Sequence, residues 1–256
     1  MPLSLLCLQV IGLKEHAHLD AEVDLSLVGQ TLHAALKTFH QGLKTKPFDG
    51  KLEDKKSYLE NLLNSISKKH FQPLLDADGR WLAAWVQWES QIPSWVDWQL
   101  AREAEGWHFH DGEITVGFDL DTKYGPVRVA GQVDRIDLNP KSGAAIIDYK
   151  YSSAASIKFK QKNIEDDPQL IIYAKALNGH DVVDRQAATS ASWVSIKEEQ
   201  VEAVVDDLEL RMSELPAQMI ADIEKVWEGY PLKASAPDGI CQYCSVRGLC
   251  RKGMWS

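Results

Sequence analysis

The chain has 256 residues, a formal net charge of −9, and a composition that is 45% hydrophobic and 25% charged, enough for one large domain or two small ones with a sizeable core. No apolar run approaches the length of a membrane span and residues 1–13 lack a basic leading segment, so the expected setting is cytoplasmic, with neither a membrane span nor a secretory leader. The acidic balance argues against nucleic-acid binding over the whole surface, though a local groove can still be basic.

Residues 1–23 are mixed in character and hold Cys7. Their abrupt start reads as the trimmed end of a longer protein. From Leu25 to Leu43 the residues Leu25, Val28, Leu32, Leu36 and Phe39 recur at helical spacing. This helix carries Gly29 and His33, and a lone helical histidine is more often a surface or core residue than a ligand. Leu52 to Lys68 reads as a second amphipathic helix, and Asp76 to Gly79 as a turn. Trp81, Trp85 and Trp88 fall at i, i+4 and i+7 on one helix face. Pro93 fits the first turn of a following helix. These tryptophans, with Trp95, Trp98 and Trp107, would suit the stacking of unpaired bases, but core packing is the favoured reading.

Gly106 to Leu120 alternates as a strand with Glu113 inside it. Val127 to Leu138 alternates as well, and Ala144 to Tyr151 is short, apolar and β-branched. Between them Asn139, Pro140, Lys141, Ser142 and Gly143 supply turn chemistry. A five-residue loop pairs Leu138 with Ala144, and counting back sets Asp134 opposite Asp148, with Cβ atoms roughly 5 Å apart. Lys150 then shares their face and Tyr149 points away. Adjacent carboxylates repel unless a proton or cation lies between them. Hard oxygen ligands suit Mg²⁺ or Mn²⁺. A lysine beside them can orient or help deprotonate a water, or stabilise a pentavalent phosphorane. Taken alone, the hairpin is as readable as a surface turn with solvated charges or a structural Asp–Lys pair.

Ala154 to Asn163 is a lysine-rich loop or short helix, whose Lys158, Lys160 and Lys162 fit a basic patch or a solvated face equally well. Pro168 to Asn178 is a helix stopped by Gly179, with Gln169 and Tyr173 one turn apart on one face. Ala187 to Ile196 reads as a strand, and Glu198 to Glu228 as a long acidic helical region bent at Pro216. The four cysteines are Cys7, Cys241, Cys244 and Cys250, the last three spaced C-x2-C-x5-C. Thiolates so close together need a disulfide or a metal, and without a secretion signal the disulfide is the weaker choice. Tetrahedral zinc and a 4Fe–4S cluster both fit, with Cys7 as the fourth ligand or as a buried free thiol.

In chain order the motifs are Cys7, G-x-x-x-H at Gly29 to His33, G-x-x-D-R-I-D at Gly131 to Asp137, D-Y-K at Asp148 to Lys150, Q-x-x-x-Y at Gln169 to Tyr173, and the closing cysteines. The set resembles the RecB-like branch of the PD-(D/E)xK nuclease superfamily. It is most similar to the iron–sulfur type, which includes the AddB C-terminal nuclease domain and CRISPR-associated iron–sulfur exonucleases. The resemblance spans nearly the whole chain. It departs at the N-terminus, where relatives usually have C-P-F and this chain has Cys7-Leu8-Gln9.

The resemblance implies a single domain over residues 1–256. Its fold would be α/β (α+β), a restriction-endonuclease-like mixed central sheet flanked by helices, with residues 1–23 and 235–256 joined by a cysteine-ligated cluster. His33, Asp134 and Asp148 are implied as ligands of Mg²⁺ or Mn²⁺, with the Tyr149 carbonyl as a fourth. Lys150 is implied as the catalytic lysine, Gln169 and Tyr173 as residues that flank the site and position DNA, and Glu113 as an auxiliary residue. Cys7, Cys241, Cys244 and Cys250 are implied as ligands of a 4Fe–4S cluster, with structural Zn²⁺ as the alternative. The implied activity is metal-dependent DNA hydrolysis at single-stranded or duplex ends, exonucleolytic, in repair and recombination. No G-x-x-x-x-G-K-S/T sequence occurs, so a helicase would have to come from a partner or a longer chain. A different class of expectation is a non-catalytic DNA-end-binding or scaffold domain. Such a domain tends to lose an acid or its lysine, whereas His33, Asp134, Asp148 and Lys150 are all present. A zinc-stapled interaction module would explain the cysteine tail and leave the hairpin unexplained.

Overall fold

Helical periodicity builds the first half of the chain. The computed structural model describes residues 24–178, 186–198 and 202–231. Helix α1 spans Leu25–Thr45 and is capped by the Asp24 carboxylate, which accepts from the backbone N–H of Ser26 at 2.9 Å and of Leu27 at 3.4 Å. Helix α2 spans Lys55–Ala77 and α3 spans Leu82–Ala104. Val28, Leu32, Leu36 and Phe39 of the α1 stripe share one core with the apolar faces of α2 and α3. Ile147, Tyr149 and Val194 of the sheet, with Ile196 just past the sixth strand, complete it. Trp85, Trp88 and Trp95 lie inside this core, with Trp81 and Trp98 half-buried against it. These tryptophans are therefore packing residues, not a stacking platform.

Two helices run past their expected ends. α2 continues beyond Lys68 through Pro73, because Phe71, Leu74 and Leu75 keep feeding the core. α3 runs unbroken through Pro93, where a new helix was expected to begin. Proline inside a helix loses one backbone hydrogen bond and crowds the preceding turn. Here burial of Trp88, Ile92, Trp95 and Val96 on either side outweighs that cost.

The strands are β1 His108–Asp111, β2 Ile114–Thr122, β3 Gly125–Val133, β4 Arg135–Asn139, β5 Gly143–Lys150, β6 Ala188–Ser195 and β7 Glu202–Val204. Five form a mixed sheet in the order β1-β4-β5-β6-β7, and β2 and β3 pair separately. β5 and β6 are parallel, while β1–β4, β4–β5 and β6–β7 are antiparallel. Leu138 faces Ala144, the register that loop counting requires. Helix α4 spans Ala154–Lys162, and α5, Gln169–Leu177, packs on β5 and β6. Helix α6 spans Leu208–Trp227. The result is a mixed α/β fold with its central sheet flanked by helices.

Three expected elements are corrected. The strand read through Gly106–Leu120 breaks at Gly112 and Glu113, so Glu113 sits in a turn with φ of 57°. The strand read through Val127–Leu138 breaks at Asp134. The two breaks face each other: the Glu113 N–H donates to the Asp134 carbonyl at 3.2 Å, and a Cβ on Gly112 would stand 2.7 Å from that oxygen. Asp134 is thereby the hinge between the two-stranded and five-stranded sheets. The region read as helix from Glu198 instead contains β7, because Glu202, Ala203 and Val204 pair with β6 and the Glu202 carboxylate is drawn in by Arg102 at 3.0 Å.

The chain divides into two compact units. The larger holds Val23–Asp121 and Pro126–Pro216 and contains every motif from Gly29 to Tyr173. The described part of the other comprises Thr122–Gly125 and residues 217–231. Within it, Glu224 accepts from the Lys123 N–H at 2.7 Å, Glu228 pairs with the Lys123 ammonium, and Tyr124 meets Trp227 edge-on. Cys7, Cys241, Cys244 and Cys250 lie outside the described residues. Among the described residues, no helix is long and apolar enough to cross a membrane.

Candidate active site

The site forms where α1 crosses the sheet hinge. His33 stands one residue beyond buried Leu32, so its ring leaves the core stripe and reaches β5. Its Nε2 lies 3.0 Å from the Tyr149 carbonyl oxygen. A carbonyl can only accept, so Nε2 carries the proton in this contact. The other ring nitrogen, Nδ1, is 3.4 Å from Asp134 Oδ1 and 3.9 Å from Glu113 Oε1. Together His33, Glu113 and Asp134 offer three ligand atoms that all lie within 4.8 Å of one another.

Each carboxylate is aimed by local backbone. Asp134 sits at the sheet break, and its Oδ2 accepts from the Tyr149 N–H at 2.8 Å. Glu113 is placed by its left-handed turn, and Gln132 Nε2 donates to its Oε2 at 2.7 Å. Asp148, on the next strand, is only 2% exposed, and Lys150 Nζ stands 2.7 Å from its Oδ2. Asp148 is thus paired with the lysine and stands outside the tight three-residue group.

The electrostatics follow from crowding. Burial raises the Asp148 carboxyl to about 6, against the pull of Lys150, and the nearby Asp134 charge adds to the rise. Burial also raises Glu113, with Asp134 contributing. For His33 burial acts downward, but the hydrogen bond and charge of Asp134 outweigh it and the imidazole is raised. Lys150 follows the same logic: burial lowers it, Asp148 more than restores it, and the ammonium is held charged.

A hydrogen-bond chain leads away from Lys150. Its Nζ donates to Gln169 Oε1 at 3.1 Å, and Gln169 Nε2 donates to the Tyr173 hydroxyl at 2.7 Å. Gln169 and Tyr173 therefore meet the site through the lysine. Gly131 makes room for this: a Cβ there would stand 2.4 Å from Tyr173 Cε1. Gly29 has no such constraint, since an added Cβ would make an ordinary 3.8 Å contact with Tyr151. Of the basic-patch candidates, Lys160 pairs with Asp167, while Lys158 and Lys162 are exposed on α4.

A family profile for the PD-(D/E)XK nuclease superfamily matches residues 2–251. The chain belongs to this superfamily. Its members are divalent-metal nucleases, and the donors gathered here, one imidazole nitrogen with carboxylate oxygens, form a set that could hold a divalent cation. The closeness of three acids also fits a cation, because a positive ion would relieve their mutual repulsion. Among solved structures, a provisionally named exonuclease from Eubacterium rectale is 16% identical, with 93% of this chain and 94% of that chain covered and a TM-score of 0.43. The protein SSO0001 is 13% identical, with 88% and 94% covered and a TM-score of 0.36. No curated protein matches the sequence significantly.

What the sequence reading missed lies behind this site. Arg135 and Asp137 of the D-R-I-D motif are fully buried, as is the His40 ring two turns beyond His33. A signal was present: an arginine and an aspartate two residues apart in a strand share a face, and that face had to be the one opposite Asp134.

Proposed function

We propose that this superfamily member is a Mg²⁺- or Mn²⁺-dependent deoxyribonuclease of the RecB/AddB kind, acting from DNA ends in repair or recombination. The observation that carries the reading is the group His33, Glu113 and Asp134 standing beside the Asp148–Lys150 pair. His33 through Nδ1, Glu113 and Asp134 would hold the cation, with Asp148 next to them on β5. When bound, the cation supplies Lewis-acid polarisation of a phosphate oxygen and lowers the pKa of a water.

The chain's own residues do the rest. The Tyr149 carbonyl holds the His33 Nε2 proton, which leaves the Nδ1 lone pair directed at the carboxylates. Lys150, kept charged by Asp148, offers an ammonium to the negative charge that builds on the phosphate during displacement. Gln169 fixes the direction of that ammonium by accepting from it.

The finer parts of the reading rest on the sequence. The C-x2-C-x5-C run with Cys7 supports a 4Fe–4S cluster, with zinc as the alternative metal held by the same thiolates. A helicase partner, or a helicase on a longer chain, would feed the strand, in a cytoplasmic setting. Purified chain should cut linear DNA in Mg²⁺ or Mn²⁺, and chelator or Asp134→Ala should abolish cutting. Undiminished cutting by Asp134→Ala or in excess chelator overturns the reading. Iron and sulfide analysis of anaerobically prepared protein decides the cluster, and zinc without a visible absorption band refutes it.

A further inference from the structure

The face of β4 and β5 turned away from the site buries a charged network. The Arg135 Nε and Nη2 groups donate to the two oxygens of Asp137 at 2.6 and 2.9 Å. Its Nη1 donates to the Tyr149 hydroxyl at 2.9 Å and to His40 Nε2 at 3.0 Å. Asp137 also accepts from Arg102 Nε at 3.0 Å, and Arg102 reaches on to Glu202. Arg135 and Asp137 are both 0% exposed. Burying such a pair costs much of what its attraction returns, and apolar residues of similar size often serve stability as well or better. A role in orientation explains its presence better than one in holding the fold.

Tyr149 shows what is being oriented. Its N–H holds the Asp134 carboxylate, its carbonyl holds the His33 ring, and its hydroxyl is held by Arg135. Arg135 is the residue next to Asp134. The two ligands and the arginine thus close a ring of contacts through one tyrosine. Helix α1 is tied to the same point twice, by His33 on the carbonyl and by His40 on the arginine. The guanidinium is planar and uses both of its edges here, so it fixes direction as well as distance.

We propose that Arg135, anchored by Asp137 and His40, is a positioning residue that acts through the Tyr149 hydroxyl to set His33 and Asp134 for the metal. This rests on the metal-site reading given above. The hydroxyl is the separable part: Tyr149→Phe removes it and leaves the ring, the N–H and the carbonyl in place. His40→Leu removes the arginine's second anchor with little change in volume, and His40→Gln keeps an acceptor.

The test is Mn²⁺ binding to the 256-residue chain, followed by calorimetry and by the spin-resonance signal of free ion, with thermal unfolding recorded alongside. Tyr149→Phe and His40→Leu should fold and bind Mn²⁺ about 10-fold or more weakly, the range that groups orienting metal ligands command. His40→Gln should recover most of that loss. The Mn²⁺ concentration for half-maximal DNA cutting should rise by the same factor. Should Tyr149→Phe fail to fold, the two His40 variants carry the comparison. Variants that unfold at lower temperature yet bind Mn²⁺ as the parent does overturn the proposal and make the network merely structural. Parent protein that binds no Mn²⁺ overturns the metal-site reading itself, an outcome seen before any variant is compared.

Discussion

Gly131 and Tyr173 are matched across the site: a single added methyl on the glycine would stand 2.4 Å from the tyrosine ring. The ring must lie against bare backbone for its hydroxyl to receive Gln169, which in turn receives Lys150. Gly131→Ala should cost about 1–3 kcal/mol of stability, the usual range for overpacking. It should also reduce cleavage further than the lost stability explains, because the displaced ring releases Gln169. Cleavage rates measured well below the unfolding temperature separate the two effects.

Glu113 occupies a backbone conformation that disfavours side chains, and it is the acid in that turn. A left-handed non-glycine residue costs about 1–2 kcal/mol. Glu113→Gly should therefore leave stability unchanged, or raise it by up to about 1 kcal/mol, while weakening Mn²⁺ binding. Equal metal affinity, measured by calorimetry, would remove Glu113 from the ligand set.

Metal binding should weaken as pH falls. The Asp148 carboxyl is raised to about 6 in the metal-free chain, chiefly by burial, and His33 is raised as well. His33 must give up its proton to offer Nδ1, and ionised Asp148 adds negative charge beside the ligand group. Apparent Mn²⁺ affinity should climb with pH through about 6 and level off above the His33 titration. Asp148→Asn should flatten the acid part of that curve. Titrations between pH 5 and 8 read this directly.

His40 predicts a separate acid sensitivity of the fold. Its ring is buried and its pKa lies well below 6.5, pushed down by desolvation and then by the Arg135 charge. The unfolded chain binds a proton below 6.5 that the folded chain refuses. This part of the stability is present above pH 6.5 and falls as pH drops below it, by up to about 1.4 kcal/mol per pH unit. Urea unfolding at pH 7.5 and 5.5 should show the loss, and His40→Leu should reduce it. An unchanged difference in His40→Leu would assign the sensitivity to other groups.

Much of the fold was legible in periodicity. The α1 stripe and the Leu138–Ala144 register follow from local pattern, because backbone hydrogen bonding and burial act over a few residues, although the turn is tighter than expected, with Asn139 and Gly143 paired and only residues 140–142 in the loop. Where sequence reading failed, distant burial outweighed a local signal. Pro73 and Pro93 sit inside helices because tryptophan and leucine faces carry the chain past them. Strands broke at Glu113 and Asp134 because the β1–β2 and β3–β4 junctions, where the chain passes between the two sheets, meet there.

For the site, sequence alone determined which residue types are present: a helical histidine, a hairpin with two aspartates, a lysine, and the helix bearing Gln169 and Tyr173. Motif order placed them in a nuclease superfamily. Only the tertiary structure decided how they divide. It sets Glu113 beside His33 and Asp134, turns Asp148 to Lys150, and puts the Tyr149 carbonyl on the His33 ring. It also buries Arg135 and Asp137 behind them. The reason is geometric. Alternation along a strand says which side chains share a face, but which partner each one meets depends on a sheet break and a helix crossing set by residues far away in the chain.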